Sequence, residues 1–186
     1  MKRKFFLAAA LFIALGMIGL LSHPATAFGQ EGAVMTGVWS WQNTMPSAWF
    51  GPDAVLPSVL TFHNDGTTVC SDGIAFGGLP LAYNGFCYTP FQGVWERTGP
   101  HEFTATWLSL RFDRTTGVLD GFARARAKFK FSTDFDHIAG TLYMDFLRSS
   151  AGPLKVPDPL APDAIWVPSA LGELQIKAAR VSVVPY

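Results

Sequence analysis

The stretch FARARAKFKF at residues 122–131 decides the fold of this chain. Small or apolar residues alternate there with four cations. Because successive side chains of a β-strand point to opposite faces of a sheet, the stretch predicts a strand with one apolar and one basic face. The apolar face holds Ala123, Ala125, Ala127, Phe129 and Phe131, and the other face holds Phe122, Arg124, Arg126, Lys128 and Lys130.

The segment that follows this strand can be paired with it in a single consistent register. A turn that places Phe131 opposite Asp136 puts Leu142 beside Ala125 and keeps Met144 on the same face. A slip of one residue would mix apolar with charged positions, so this pairing is the expected one.

The segment that precedes the strand is expected to pair on its other side. Placing Phe112 opposite Leu119 puts Arg111 beside Asp120, which predicts an ion pair across the two strands. The same register assigns the apolar face Leu108, Leu110 and Phe112, with Thr104 and Thr106 as its polar positions.

Short alternating segments separated by turn residues continue along the rest of the chain, which is typical of an antiparallel meander. About eight strands are predicted, and eight is the number at which a closed barrel has room for side chains or one small ligand. The fold class is therefore all-β, an up-and-down barrel. The strands are expected at residues 37–42, 58–63, 67–70, 92–97, 102–112, 118–131, 138–147 and 174–184.

The apolar face of the three central strands is interpreted as the barrel interior. Small residues opposite bulky ones either leave a cavity or receive large side chains from the far wall, and both alternatives stay open. The basic face is a solvated outer wall or, alternatively, an anion-binding face. The predicted ligand-lining residues are Leu108, Leu110, Phe112, Ala123, Ala125, Ala127, Phe129, Leu142 and Met144.

The N-terminus has the order of features of a secretory signal peptide. Lys2, Arg3 and Lys4 precede an uncharged apolar run, and Ala25-Thr26-Ala27 forms an A-x-A cleavage site. Residues 1–27 are therefore predicted to be the signal peptide and residues 28–186 a single mature domain, secreted or periplasmic. An uncleaved anchor helix is the alternative.

Charge and motifs narrow the classes of function. The chain balances 14 basic against 14 acidic residues, so it lacks the basic excess of nucleic-acid-binding proteins. No His, Cys or carboxylate spacing typical of a metal site occurs, and no cofactor motif is present. A small apolar molecule is the partner that the composition favours, and no membrane segment is expected after signal cleavage.

Two cysteines, Cys70 and Cys87, flank a glycine-rich segment at residues 71–86. In an oxidising compartment such a pair is expected to form a disulfide, which would add about 3 kcal/mol by closing a loop of this length. A redox or metal-binding pair is the alternative.

Gly37-Val38-Trp39 resembles the G-x-W signature of the lipocalins and other calycins. In that superfamily an arginine late in the chain packs across the tryptophan, and Arg180 is placed to match. Residues 60–66 and 93–99 are also similar to segments of secreted bacterial lipocalin-like barrels. The resemblance implies a ligand-binding barrel, and the allene oxide cyclase-type barrels imply a cyclase or isomerase as the alternative.

Three functions follow from these observations. The first is a binding barrel for a small apolar ligand. The second is a cyclase or isomerase, which would gain support if Glu96, His63 or Tyr143 faced the interior. The third is an interaction protein with a filled barrel, in which Trp49, Phe50 or Trp166 contacts a partner.

Overall fold

The structure is a computed structural model that describes residues 35–73, 85–148 and 158–182, all within one compact unit, Val34–Tyr186. The predicted signal peptide, residues 1–27, lies outside the described residues. Every predicted strand is found, so the all-β prediction is confirmed. The strands are β1 (Gly37–Thr44), β2 (Val55–Phe62), β3 (Thr67–Asp72), β4 (Phe86–Tyr88), β5 (Phe91–Arg97), β6 (Glu102–Asp113), β7 (Leu119–Phe131), β8 (His137–Arg148), β9 (Val167–Pro168) and β10 (Leu174–Arg180).

Antiparallel pairing in chain order closes these strands into an eight-stranded barrel. β4 and β5 both pair with β6 and together occupy one position in the wall. β10 pairs with β8 on one side and with β1 on the other, which joins the two ends of the sheet. The short helix α1 (Ser47–Phe50) connects β1 to β2, and β9 adds to the outer end of β8.

The basic strand is β7, and its burial alternates as its sequence predicts, with the three alanines buried. Its cations lie on the outer wall and most are paired there. Asp145 of β8 accepts from Arg124 at 2.9 Å and from Arg126 at 2.8 Å, and Lys130 lies 2.5 Å from Glu102. These ion pairs explain how the outer face of β7 accommodates a row of cations.

The predicted pairing of β7 with β8 has the correct faces but is wrong by two residues. Phe131 lies opposite Ile138, so that Ala125 faces Met144 and not Leu142. The connection is longer because Phe135 folds back on Phe131, with the ring centroids 5.8 Å apart. An even shift preserves the side of the sheet to which each residue points.

The predicted pairing of β6 with β7 is wrong in its faces, because a β-bulge interrupts it. Phe112 lies opposite Leu119 as expected, but the next pair is Arg111 with Gly121, which leaves Asp120 as an extra residue. A bulge shifts the register by one residue and so exchanges the two faces of the partner strand.

Because the two faces of β6 are exchanged, several residues that were predicted to lie inside the barrel lie on its outer wall. The interior side chains of β6 are Phe103, Ala105, Trp107, Ser109 and Arg111, all of them buried. The residues predicted to be inside alternate with these and lie on the outer wall, where they are half-buried or exposed: Leu108, Leu110, Phe112, Thr104 and Thr106.

Aromatic side chains fill the barrel at the end where β1 begins and β7 ends. Ring centroids lie 5.1 Å apart for Phe103 and Phe131, and 6.0 Å apart for Phe103 and Phe129. We refer to this cluster as the aromatic plug, which consists of Trp39, Phe62, Trp95, Phe103, Phe129 and Phe131.

The four interior tryptophans each donate their indole N–H to a nearby oxygen, as buried tryptophans usually do. These bonds fix the ring orientations and limit how far the interior can rearrange. The acceptors are the Met35 carbonyl for Trp39 (3.1 Å), Asn43 Oδ1 for Trp41 (2.9 Å), the His63 carbonyl for Trp95 (3.1 Å) and Thr68 Oγ1 for Trp107 (3.3 Å).

Candidate functional site

Arg180 covers the plugged end of the barrel. Its guanidinium carbon lies 4.5 Å from the ring centre of Trp39, and its Nη1 donates to the Thr36 carbonyl at 2.9 Å. Nε lies 3.6 Å from Asp136 Oδ1. The predicted Arg180–Trp39 contact is confirmed, and it leaves this end closed by side chains.

A small cavity lies in the middle of the barrel. Its volume is about 30 Å³, room for roughly one or two water molecules. The wall is mostly apolar, with Asn43 and Asp72 as polar exceptions. The predicted residues Ala125, Leu142 and Met144 line it, whereas Ala123, Ala127 and Phe129 are packed against other core side chains.

The opposite end of the barrel holds a larger cleft of about 290 Å³. It lies where β6 and β8 end, between α1, β4 and the segment that follows β9. We call it the Arg111 cleft. Its walls are formed by Trp49, Phe50, Phe86, Tyr88, Arg111, Met144, Phe146, Arg148 and residues 167–171.

Arg111 projects from β6 into this end of the barrel and is 1% exposed. Its guanidinium carbon lies between two rings, 4.4 Å from the centre of Phe86 and 4.9 Å from that of Phe146. Nη2 donates to Asp120, the extra residue of the bulge. The predicted Arg111–Asp120 ion pair is therefore confirmed, although it forms at the barrel mouth and not on the outer wall.

The bulge depends on Gly121, which lies opposite Arg111. Its φ is +149°, in a region that side-chain-bearing residues rarely adopt. A Cβ at this position would lie 1.9 Å from the Leu147 carbonyl oxygen. Only glycine fits this backbone, and the backbone in turn sets the position of Asp120 beside the Arg111 guanidinium.

Tyr88 is the neighbour of Arg111 across β4 and β6 and also lines the cleft. Burial raises the pKa of Tyr88 to about 12, although the positive charge of Arg111 acts in the opposite direction. The phenol is therefore neutral at ordinary pH and can donate a hydrogen bond. The cleft combines aromatic walls with two polar groups that can donate hydrogen bonds.

The two cysteines are free thiols and lie too far apart for a disulfide, so the predicted bridge is wrong for this structure. Cys70 on β3 lies opposite Phe91 and lines the small cavity, whereas Cys87 on β4 lies opposite Phe112. Cys87 precedes Phe91, the residue opposite Cys70, by four positions along the segment that forms β4 and β5, so the two cysteines are offset along the wall. Burial raises the pKa of Cys70 well above its usual range, with Asp72 adding to the effect.

The residues that would have favoured an enzyme are on the outside. Glu96 and His63 are exposed, and Tyr143 is 42% exposed on the outer wall. Sequence reasoning missed Arg111 as a cleft residue, because an unbroken register places it on the outer face. The glycine at position 121, directly after the acidic partner, was the signal for the bulge.

Three comparisons with known proteins gave no match: no family model, no curated protein and no solved structure is significantly similar to this chain. Within the described residues, no helix is both long and apolar enough to cross a membrane.

Proposed function

We propose that this protein is an exported, lipocalin-like barrel that binds a small apolar molecule in the Arg111 cleft. The cleft itself carries the proposal. Its volume of about 290 Å³ is close to that of the smaller ligand pockets of proteins, which are likewise mostly apolar with a few polar groups. The interior cavity, at about 30 Å³, is too small to hold such a ligand alone.

Met144 connects the cleft with the interior, because its side chain lines both spaces. Methionine is unbranched and flexible, so it adapts readily to a neighbour of changed shape. A ligand that displaces this side chain would extend from the cleft towards Ala125 and Leu142. The predicted lining residues on β7 and β8 would then contact the inner end of the ligand.

Two observations support the lipocalin-like and exported parts of the proposal. The contact between Arg180 and Trp39 is the one that the G-x-W resemblance implies. The charged, apolar and A-x-A segments of residues 1–27 favour export. Sequencing the N-terminus of protein recovered from the periplasm or medium tests the second point, and a chain that begins at Phe28 is the expected result.

Binding is tested with N-phenyl-1-naphthylamine, a neutral apolar dye whose fluorescence rises in an apolar site. The unmodified domain should bind it. Leu171→Trp should weaken binding at least tenfold, because the larger ring fills the cleft that Leu171 lines. Leu160→Trp is the matched control, since Leu160 is 80% exposed and does not line the cleft.

Absence of dye binding by the unmodified domain would contradict the proposal. Equal loss of binding in the two leucine variants would contradict it as well, because the dye would then not be held in the Arg111 cleft.

A further inference from the structure

Arg111 has a hydrogen-bond donor that no described residue of the chain accepts. Its Nε is buried, and no acceptor among the described residues lies within hydrogen-bond distance of it. The faces of Phe86 and Phe146 attract the cation but do not replace an oxygen acceptor. A buried donor without an acceptor is unfavourable, and it suggests that something else completes the site.

Asp120, which pairs with Arg111 in the described part of the chain, is more exposed than the arginine. The side chain of Asp120 is 30% exposed, so water screens its charge, whereas Arg111 is almost fully buried. A guanidinium presents five donors, and the Asp120 contact uses the Nη2 group. Donor capacity therefore remains for a second anion.

The other polar groups of the cleft mostly favour an anion. The Tyr88 phenol can donate a hydrogen bond, and Arg148 adds a second cation to the wall. Asp72 lies near Tyr88 and opposes an anion, as Asp120 does. Because Arg148 is exposed, its contribution is screened by salt, and Arg111 is the dominant charge.

We infer that the ligand of the Arg111 cleft is an apolar acid, whose carboxylate accepts hydrogen bonds from the Arg111 donors that Asp120 leaves unused. Its apolar part lies against Trp49, Phe50 and Leu171, which line the same cleft. This inference rests on the proposed function and names the chemical class of its ligand. Arginine is the residue best suited to hold a carboxylate, since its planar group matches the two oxygens.

The test compares octanoate with octan-1-ol, which have the same chain length and differ in their head groups. Each displaces bound N-phenyl-1-naphthylamine from the unmodified domain at pH 7. Octanoate should bind about tenfold or more tightly, because its hydrogen bonds to a buried cation are charge-assisted. Equal affinity of the acid and the alcohol would overturn the inference.

Three variants test whether Arg111 causes the preference for octanoate over octan-1-ol. Arg111→Gln should reduce the ratio of the two affinities to about one. Asp120→Asn should raise octanoate affinity several-fold and leave octan-1-ol unchanged, because a competing carboxylate is removed. Lys128→Gln is the control, since it removes one positive charge from the outer wall, away from the cleft.

The results separate the inference from the proposed function. If octan-1-ol displaces the dye and octanoate binds no more tightly than the alcohol, the proposed apolar site stands and the inference of an acidic ligand is wrong. If neither displaces the bound dye, the inference is overturned and binding of the dye still supports the apolar site; if the dye itself does not bind, the proposed function falls as well. Should Arg111→Gln fail to fold, Asp120→Asn decides, because a decrease or no change in octanoate affinity would overturn the inference.

Discussion

The two ends of the barrel use the same pair of groups, an arginine and aromatic rings, in different ways. At the plugged end, Arg180 lies outside the ring of Trp39 and its side chain is 29% exposed. At the cleft end, Arg111 is 1% exposed and lies between Phe86 and Phe146. One arginine closes its end, and the other forms part of the wall of an open space.

The difference lies in what the remaining donors contact. Arg180 donates to the Thr36 carbonyl and approaches Asp136, so the protein itself supplies its acceptors. Arg111 pairs with Asp120, while its Nε has no acceptor in the described part of the chain. An arginine whose acceptors are supplied by the protein stabilises the fold, whereas a buried arginine with a spare donor suggests a ligand.

The largest contrast in stability is expected between matched phenylalanine truncations at the two ends. Phe129→Ala should lower the free energy of unfolding by about 3–5 kcal/mol, because it leaves a cavity among Trp41, Phe62 and Phe103. Phe146→Ala, at the half-buried cleft wall, should cost less and weaken dye binding more. Urea denaturation measures the unfolding free energy of each variant, and dye titration measures its affinity. Equal losses of stability in the two variants would contradict the comparison.

Alkaline pH should destabilise the cleft end through Tyr88. Below pH 10 the phenol is protonated in both the folded and the unfolded chain. Between about pH 10 and 12 the unfolded chain ionises first, because the folded pKa is about 12, and up to about 3 kcal/mol of stability is lost. The midpoint of urea unfolding should therefore fall more steeply above pH 10 in the unmodified protein than in Tyr88→Phe.

Tyr143→Phe is the control for that measurement, because Tyr143 lies exposed on the outer wall. All other titratable groups are common to the three proteins and cancel in the comparison. If Tyr88→Phe and the unmodified protein lost stability in parallel, the buried phenol would not be the cause.

A smaller effect is expected from Arg180→Met, which keeps an apolar side chain over Trp39 and removes the cation. The contact with the ring and the bond to the Thr36 carbonyl together should be worth about 1–2 kcal/mol of unfolding free energy. Dye binding should not change. Weaker dye binding would mean that the two ends are coupled, and thermal unfolding with parallel dye titration distinguishes these results.

The smallest effect concerns the two cysteines. Chemical modification of a thiol measures how accessible and reactive it is, and does not measure the stability of the fold. The folded protein should have the mass of the fully reduced chain. Iodoacetamide should label Cys87 before Cys70, because burial raises the pKa of Cys70. Peptide mapping by mass spectrometry measures the order, and a mass two hydrogens below the reduced value would show that the cysteines form a bridge.

Much of this fold could be predicted from sequence because alternation is a local property. Each strand of the barrel wall except β4 is predicted from its own alternating pattern, and the sequence of β7 shows its two faces within ten residues. The Arg180–Trp39 contact followed from a short motif and the position of the last strand. These features need no knowledge of how distant residues approach each other.

The register and the site were harder to predict, since each depends on one irregular residue. The extra residue Asp120 moved Leu108, Leu110 and Phe112 to the outer wall and brought Arg111 inside. The backward fold of Phe135 lengthened the next turn by two residues. The expected disulfide failed because Cys70 lies opposite Phe91 and not Cys87, and this offset depends on the register of the strands and not on the local sequence.

The central claim is that one end of this barrel is closed and the other binds a small molecule. Backbone amide NMR shifts, recorded while N-phenyl-1-naphthylamine is added, test it most directly. We expect the largest shifts at Phe86, Tyr88, Phe146 and Leu171, with almost none at Trp39 or Phe131. Shifts concentrated in the aromatic plug, or confined to the outer wall, would contradict the claim.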